Sequence, residues 1–312
     1  MVLTLIILSI FMIISYMMLI IASFSGLIFI LTASILLSST FAIKGLYQTA
    51  SAVQNVLDEN VDEARELVSY LVSRDTKNLS KNELVSATVE SLTENINDSV
   101  TAPLFFILLT GLLATTIYGM DFIHISSLNS LSNLSPINPI NIQWLTVVTN
   151  PLSIPGYSFS LLILPILVGV FYRVINTLDA MVGYNNSKYR MIGWFPAKID
   201  DIINFLPSRI TGVMVVIAAG IVGLDWKNSW IIMKRDAQKT PSPNSGFPMA
   251  AAAGALNVKL EKPSIYVLGE SKTHLDTEII GKAILLTKIT ILLFFVISFT
   301  FYAIFNLTIA SI

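Results

Sequence analysis

The chain has 312 residues, 54% of them hydrophobic and only 12% charged, with a mean hydropathy of +0.73; this exceeds what a soluble domain of the same size needs and marks an integral membrane protein. Nineteen basic and 20 acidic residues leave a net charge of −1, so no overall excess points to nucleic acid or to an acidic partner. The absence of cysteine excludes disulfides, thiolate metal sites and thiol catalysis.

Met1 to Ile43 contains no charged side chain. As one helix it would run about 65 Å at about 1.5 Å per residue, twice a hydrocarbon core of roughly 30 Å, which predicts a transmembrane hairpin turning near Ser23 to Gly26. No basic n-region precedes it, and the apolar run is too long for a cleaved signal peptide. Residues 44 to 98 are polar and predict helices over Leu46 to Leu57, Val61 to Ser73 and Lys81 to Asn97, with a loop at RDTKN. Ser99 to Met120 is the third predicted span. Asp121 to Tyr157, rich in Ser, Asn and Pro and without Lys or Arg, reads as an irregular external loop. Ser158 to Ile175, interrupted by Pro165, is the fourth span. His124 and His274 both read as loop residues rather than ligands.

Only 15 uncharged residues separate Arg209 from Asp225, about 22 Å of helix, which is short for a crossing. Lys and Arg gather in 44 to 98, in 173 to 209 and most densely in 227 to 282, so the positive-inside rule assigns all three to the cytoplasmic face. That orientation requires 210–224 to be re-entrant or surface-lying within a cytoplasmic region 176–282, with a last span at 289–307. The expected fold is therefore an all-α, polytopic membrane protein with about five full transmembrane helices, one re-entrant or surface-lying segment, and cytoplasmic helices that hold the active site in a single membrane-embedded domain.

On a helical wheel over Lys81 to Val100, the residues Val85, Val89, Leu92, Ile96 and Val100 form one apolar stripe. Glu90, Ser91, Glu94, Asn95 and Asp98 share the other side. One reading is a solvated acidic face. The other starts from Glu90 and Glu94, an i, i+4 like-charge pair with no Lys or Arg interleaved, which costs about 0.2–0.5 kcal/mol unless a cation intervenes. Hard carboxylate oxygens beside a nucleotide's phosphates suit Mg²⁺. Three further stretches have this character: Asn176 to Tyr184 with Asn176 and Asp179; Asp200, Asp201 and Asn204 before Arg209; and the basic cluster Lys234, Arg235 and Lys239 leading to the turn Ser242 to Gly246, which includes Asn244. Taken singly, an ordinary helix cap explains either of the first two. In the third, a helix opening at Pro248 presents backbone N–H groups and a positive dipole end to an anion. Arg74, Asp75 and Thr76 add a phosphate fork. No Walker or G-x-G-x-x-G motif accompanies them, so any ATP is held unconventionally.

The stretches SRDT (73–76), ESLTENINDSVTAPLF (90–105), NTLDAMVGY (176–184), KIDDIINFLPSR (198–209) and SPNSGFP (242–248) occur in an order and at a spacing that resemble the CobD/CbiB family of cobalamin biosynthesis, the adenosylcobinamide-phosphate synthases. The resemblance implies an ATP-dependent amide ligase at the cell membrane that joins adenosylcobyric acid, a corrinoid, to an amino-alcohol phosphate such as (R)-1-aminopropan-2-yl phosphate or ethanolamine phosphate. With the charge pattern, it implies Glu90, Glu94, Asp98 and Asp200 for Mg²⁺, with Asp179 and Asp201 as further ligands or the base. Arg74, Asp75, Thr76, Asn95, Asn176, Arg209, Arg235, Ser242, Asn244 and Gly246 would hold phosphates. Three departures stand out: no histidine precedes His124, where the family carries a His-Pro-Val opening; Phe247-Pro248-Met249 replaces a usual Trp-Pro-Glu; and Glu261-Lys262 stands where a Gly-Gly pair is common. A transporter would carry its charges inside spans near the midplane, and a non-catalytic membrane sensor of the same fold would not need the retained acids and arginines.

Overall fold

A computed structural model of the chain describes residues 1–131, 158–183 and 190–310. Most of the loop expected between 121 and 157, and Tyr184, lie outside the described residues. The described chain divides into two compact units: Met1–Phe41, Pro103–Ala197 and Ile297–Ile312 form one, and Ala42–Ala102 with Lys198–Val296 the other.

The first unit opens with α1 (Val2–Ala22) and α2 (Gly26–Thr40), the hairpin that the uncharged run demands, with the turn where it was expected. Both pack on α7 (Ser158–Val182). Leu19, Ala22, Phe29, Ala33, Ile163 and Ile166 make the shared core, while Ile6, Ile10, Ile13, Met17 and Ile35 stay exposed. Exposed Ile and Met along a helix with no charge is the pattern of a surface made for lipid. The helix α6 (Ala102–Leu131) is longer than the span predicted for it, so residues 121–131, His124 included, are helical rather than loop. Pro165 sits inside α7 without ending it.

In the second unit, α3 (Lys44–Val56), α4 (Val61–Ser69) and α5 (Lys81–Ile96) surround a core of Ala50, Val53, Val68, Leu84, Val85 and Leu92. A capping box starts α5: Glu83 accepts from the Ser80 amide at 2.7 Å, and the Glu83 amide donates to Ser80 Oγ, which satisfies amides that a helix start leaves without partners. The chain then widens into one π-helical turn, Asn97–Thr101, before α6. Pro103 lies just beyond that turn and has no N–H to continue the ladder.

After α8 (Arg190–Ile203) comes a bend of 51° at Asn204 and then α9 (Phe205–Ile221). At 17 residues α9 is about 25 Å long, consistent with the shortness read from the sequence. It packs on α10 (Trp226–Asp236) and on α11 (Gly246–Leu256). Every residue of α11 except Phe247 is buried. It opens at Gly246, two residues before the proline that the sequence suggested.

A two-stranded antiparallel hairpin, β1 (Lys259–Lys262) and β2 (Tyr266–Gly269), pairs Lys259 with Gly269 and Lys262 with Tyr266; it modifies the all-α expectation. Its turn has Pro263 at the second position and Ser264 at φ +61° in the third, with the Ile265 amide donating to Lys262 O, a type II geometry. The last helix, α12 (Thr277–Ala310), begins well before the predicted span 289–307.

Among the described residues, four helical stretches are long and apolar enough to cross a membrane, and up to six if each of two bent pairs, α2 with α3 and α8 with α9, counts as one span. The chain is a largely helical, multi-pass membrane protein. The α10–α11 packing sets a sharp test. A Cβ added at Gly254 would stand 2.6 Å from the Asn228 carbonyl oxygen, so Gly254→Ala is expected to cost about 1–3 kcal/mol and to lower the thermal midpoint of the detergent-solubilised protein.

Candidate functional site

The second unit holds three polar clusters. The first surrounds Glu90, a carboxylate on α5 that is 5% exposed. Ser86, one turn earlier, donates to Glu90 Oε1 at 2.6 Å, and the Tyr266 hydroxyl donates to Oε2 at 2.7 Å. The Arg74 guanidinium approaches Oε2 at 3.4 Å and also donates to the Glu261 carbonyl. The Glu261 amide in turn donates to Ser86 Oγ at 2.9 Å. Burial, and then the neighbouring Glu90 carboxylate, push the Tyr266 hydroxyl above its ordinary range, so it stays a donor at any working pH.

This geometry corrects two readings. Glu90 is not an unrelieved acid on a solvated face, because Arg74 arrives from 16 residues upstream as its basic partner. Both of its oxygens are engaged by protein donors, which does not fit the metal role expected for it. The Glu-Lys pair at 261–262 also finds an account, since position 261 serves the cluster through its backbone amide and carbonyl rather than its side chain.

The second cluster is built on the π turn. The wide turn carries Asn97, 3% exposed, into contact with the start of α9: Asn97 Nδ2 donates to Asn204 Oδ1 at 2.9 Å, and the Thr211 hydroxyl donates to Asn97 Oδ1 at 3.0 Å. Each amide also holds a carboxylate. Asn97 Nδ2 donates to Asp98 Oδ1 at 2.8 Å, and Asn204 Nδ2 to Asp200 Oδ2 at 2.9 Å. Asp98 and Asp200, expected to act together, are thus joined through two side-chain amides. Next to them, Asn244 Nδ2 donates to the Asp201 carbonyl at 2.8 Å, and Arg209 donates to Asn244 Oδ1 at 3.2 Å. The Arg209 guanidinium lies 3.6 Å from the Phe205 ring centroid and 4.3 Å from that of Phe247, two cation–π contacts that hold it in place. Ser242 Oγ accepts from the amides of Asn244 and Ser245, shaping the turn into α11. Asp201 lies beside Lys198 at 3.7 Å. Glu94 and Asn95 are partly exposed on the α5 turn that leads into this cluster, and Asn95 Nδ2 donates to the Ser91 carbonyl at 2.9 Å.

The third cluster overturns a phosphate reading. Arg235 donates from Nε and Nη2 to the two oxygens of Asp236 at 2.8 and 2.9 Å and pairs with Glu270 at 2.5 Å, and Lys239 reaches Asp236 at 2.5 Å. Arg235 and Lys239 are therefore matched by carboxylates rather than presented to an anion. Burial would raise the fully buried Asp236 carboxyl, but hydrogen bonds from Arg235, Lys239 and the Gly269 amide hold it down to about 2.

Asn176 and Asp179 belong to the other unit, on α7, where Asn176 Oδ1 accepts from Arg173 at 3.5 Å and the Asp179 carbonyl from the Gly183 amide at 2.7 Å. Among the described residues no three His, Asp or Glu side chains group closely enough to hold a metal ion by themselves. Asp98 and Asp200 are the carboxylates of this cluster that could each contribute an oxygen to a magnesium ion arriving on a nucleotide, which takes one or two of them.

Four of the five stretches singled out in the sequence meet in this unit. A profile described as "CobD/Cbib protein" matches residues 1–121 and 155–293. The chain belongs to the CobD/CbiB family. Its relatives include the "Probable cobalamin biosynthesis protein CobD" of Methanothermobacter thermautotrophicus, 44% identical over 85% of this chain and 71% of the relative. Another is the cobalamin biosynthesis protein CobD of Leptospira interrogans, 32% identical over 86% of this chain and 72% of the relative. No solved structure matches. Family membership supports a role in cobalamin biosynthesis, and the residues matched include all three clusters.

Sequence reasoning missed Ser86, Asn97, Tyr266, Asp236 and the two phenylalanines flanking Arg209. The alternation L-E-K-P-S-I-Y-V-L-G with Pro-Ser at its centre was a hairpin signal; the pairing of Tyr266 with an acid 176 residues away had no local signal.

Two outcomes follow from the clusters. Removing Arg74 alone leaves the Glu90 charge buried, so Arg74→Ala is expected to cost about 3–5 kcal/mol, whereas Arg74→Met with Glu90→Leu recovers most of it; denaturant unfolding of the pair and the single variant measures this. For Asp236 the folded pKa lies below the unfolded one, so its contribution, about 2 kcal/mol, is complete above pH about 4 and vanishes as the pH falls toward 2. Asp236→Asn should be less stable at neutral pH and show a flatter loss of stability across that acid range.

Proposed function

We propose that the chain joins the carboxylate of adenosylcobyric acid to the amine of an amino-alcohol phosphate, with cleavage of ATP, on the cytoplasmic face of the cell membrane. The observation that carries this reading is the convergence, from three distant stretches, of two adjoining hydrogen-bonded sets, one joining Asp98 to Asp200 through Asn97 and Asn204 and the other joining Arg209 to Asn244 and the Asp201 carbonyl. A carboxylate resists nucleophiles because its own charge repels them. Transfer of the γ-phosphoryl group to a carboxylate oxygen, with departure of ADP, removes that obstacle. The amine nitrogen then forms the amide bond as phosphate leaves with the former carboxylate oxygen, and the nitrogen gives up a proton.

Within this chemistry the Arg209 guanidinium, packed against the Phe205 and Phe247 rings, meets the transferring phosphoryl oxygens with its edge. Asp98 and Asp200 would hold the magnesium of the nucleotide, and Glu94 adds a further carboxylate from the last turn of α5. Magnesium, when bound, offsets negative charge on the phosphates. Asp201 is the candidate base for the amine. Glu90 acts by holding Arg74 and Tyr266 in position.

Purified protein in detergent should consume ATP only when both adenosylcobyric acid and an amino-alcohol phosphate are present. Glu94→Ala and Asp98→Asn should each lower that turnover at least about a hundredfold, in the range seen when one group aimed at transition-state charge is removed, with membrane insertion intact. ATP consumption without the corrinoid, or none under any combination, would overturn the reading.

A further inference from the structure

The helices α9 and α10 leave an open furrow between them. Gly212 lies against Met233 and Gly220 against Trp226, so the two helices run antiparallel. A Cβ at Gly220 would stand 3.7 Å from the Trp226 indole, and the missing side chain opens the furrow at that end. Val213, Val216, Ile217 and Gly220 form one wall and Trp226 and Trp230 the other, around a volume of about 440 Å³. No charged residue lines it. Trp226 remains 51% exposed, Trp230 40% and Ile217 42%.

The polar groups around the furrow indicate what covers it. Trp226, Trp230 and Lys234 follow at four-residue intervals on the exposed stripe of α10, with Lys227 and Ile231 beside them. Lys227 Nζ lies 5.8 Å from the Trp226 ring centroid and Lys234 Nζ 5.3 Å from that of Trp230, so one ammonium stands at each indole. Among the described residues neither lysine forms an ion pair and neither indole N–H finds a protein acceptor. The carboxylates at the ends of α10 are engaged elsewhere: Asp225 accepts from the Asn228 amide, and the buried Asp236 pairs with Arg235 and Lys239. Glu270, which reaches the same helix, pairs with Arg235 and Lys272. Indoles with unused N–H groups and lysines without carboxylates suit the boundary between hydrocarbon and phosphate. A second copy of the chain docked on the same face would set these lysines against each other, like charge on like.

We propose that this furrow binds an acyl chain of an anionic phospholipid, with the lipid phosphate held by Lys227 and Lys234. A zwitterionic lipid offers the same chain but brings its own cation to the lysines. The furrow shares no residue with the Asp98–Asp200 set or with the Arg209 set, and the proposal does not rest on the amide-forming reading.

The test is quenching of indole fluorescence in the full chain, carrying Trp144→Phe and Trp194→Phe so that only Trp226 and Trp230 report. The protein is reconstituted in phosphatidylcholine vesicles with increasing fractions of phosphatidylglycerol, or of phosphatidylcholine, brominated on the acyl chain. Brominated phosphatidylglycerol should quench with an apparent affinity about fivefold higher than brominated phosphatidylcholine, the effect of one lysine near a lipid phosphate. Replacing both lysines, Lys227→Gln with Lys234→Gln, should abolish that preference, and Gly220→Leu, which fills the furrow, should weaken quenching by the anionic lipid. Both lysines are exposed, and an unchanged melting temperature verifies folding of each variant. Equal quenching by the two lipids, or a preference that survives loss of both lysines, overturns the proposal. Quenching unchanged by Gly220→Leu puts the chain outside the furrow and overturns it too. Absence of quenching by either lipid means that protein covers the furrow, a second copy included, and the lipid assignment falls.

Discussion

A carboxylate placed in the middle of a packed helix governs the architecture of the second unit. Glu90 is surrounded on α5 by residues that are all buried, from Leu84 to Thr93, and an ion in such a setting destabilises the fold by several kcal/mol unless donors reach it. Three do, and each comes from a different place in the chain: Ser86 from the same helix, Arg74 from the preceding loop, Tyr266 from the hairpin. Satisfying one charge therefore fixes the loop and the hairpin against α5. The hairpin is too short to be stable by itself, and its attachment to this acid and to Asp236 gives it a defined position.

The same economy of polar groups operates at the π turn. A regular α-helix through Asn97 would turn that side chain by about 100° per residue away from its neighbours on either side. The wider turn lets Asn97 and Asp98 stand together and meet Asn204 and Asp200. A pair of neutral amides between two acids lets like charges share a region without touching, and the bend at Asn204 brings α9 to the point where Thr211 closes the network. The site is built where helices are irregular, and those irregularities are held by buried, satisfied amides.

Much of this was legible in the sequence. The hairpin of α1 and α2, the polar helices of residues 44–98 and the shortness of α9 follow from hydropathy and from length against bilayer thickness. The acids and Arg209 were found because charge next to apolar sequence is conspicuous. What was not legible depends on pairing across distance. Arg235 looked available to an anion because its immediate partner Asp236, though adjacent in sequence, turns fully inward, and Glu270 arrives from beyond β2. Glu90 looked unpaired because Arg74 is separated from it by a loop and two turns. The apolar stripe on α5 suggested an opposite face in water, yet Glu90 and Ser91 of the second face are also buried, a distinction that a helical wheel does not make.

The composition of α11 has a mechanical consequence. Ala250 to Ala253, Gly254 and Ala255 give it side chains no longer than a methyl group through its centre, so the backbones of α9 and α10 come close and little soft material lies between them. Side chains of that size have no rotamers with which to absorb a displacement. The Ser242–Ser245 turn and Asn257 thus stand at the two ends of one closely packed rod, which sets the spacing between the turn bearing Asn244 and the hairpin bearing Tyr266.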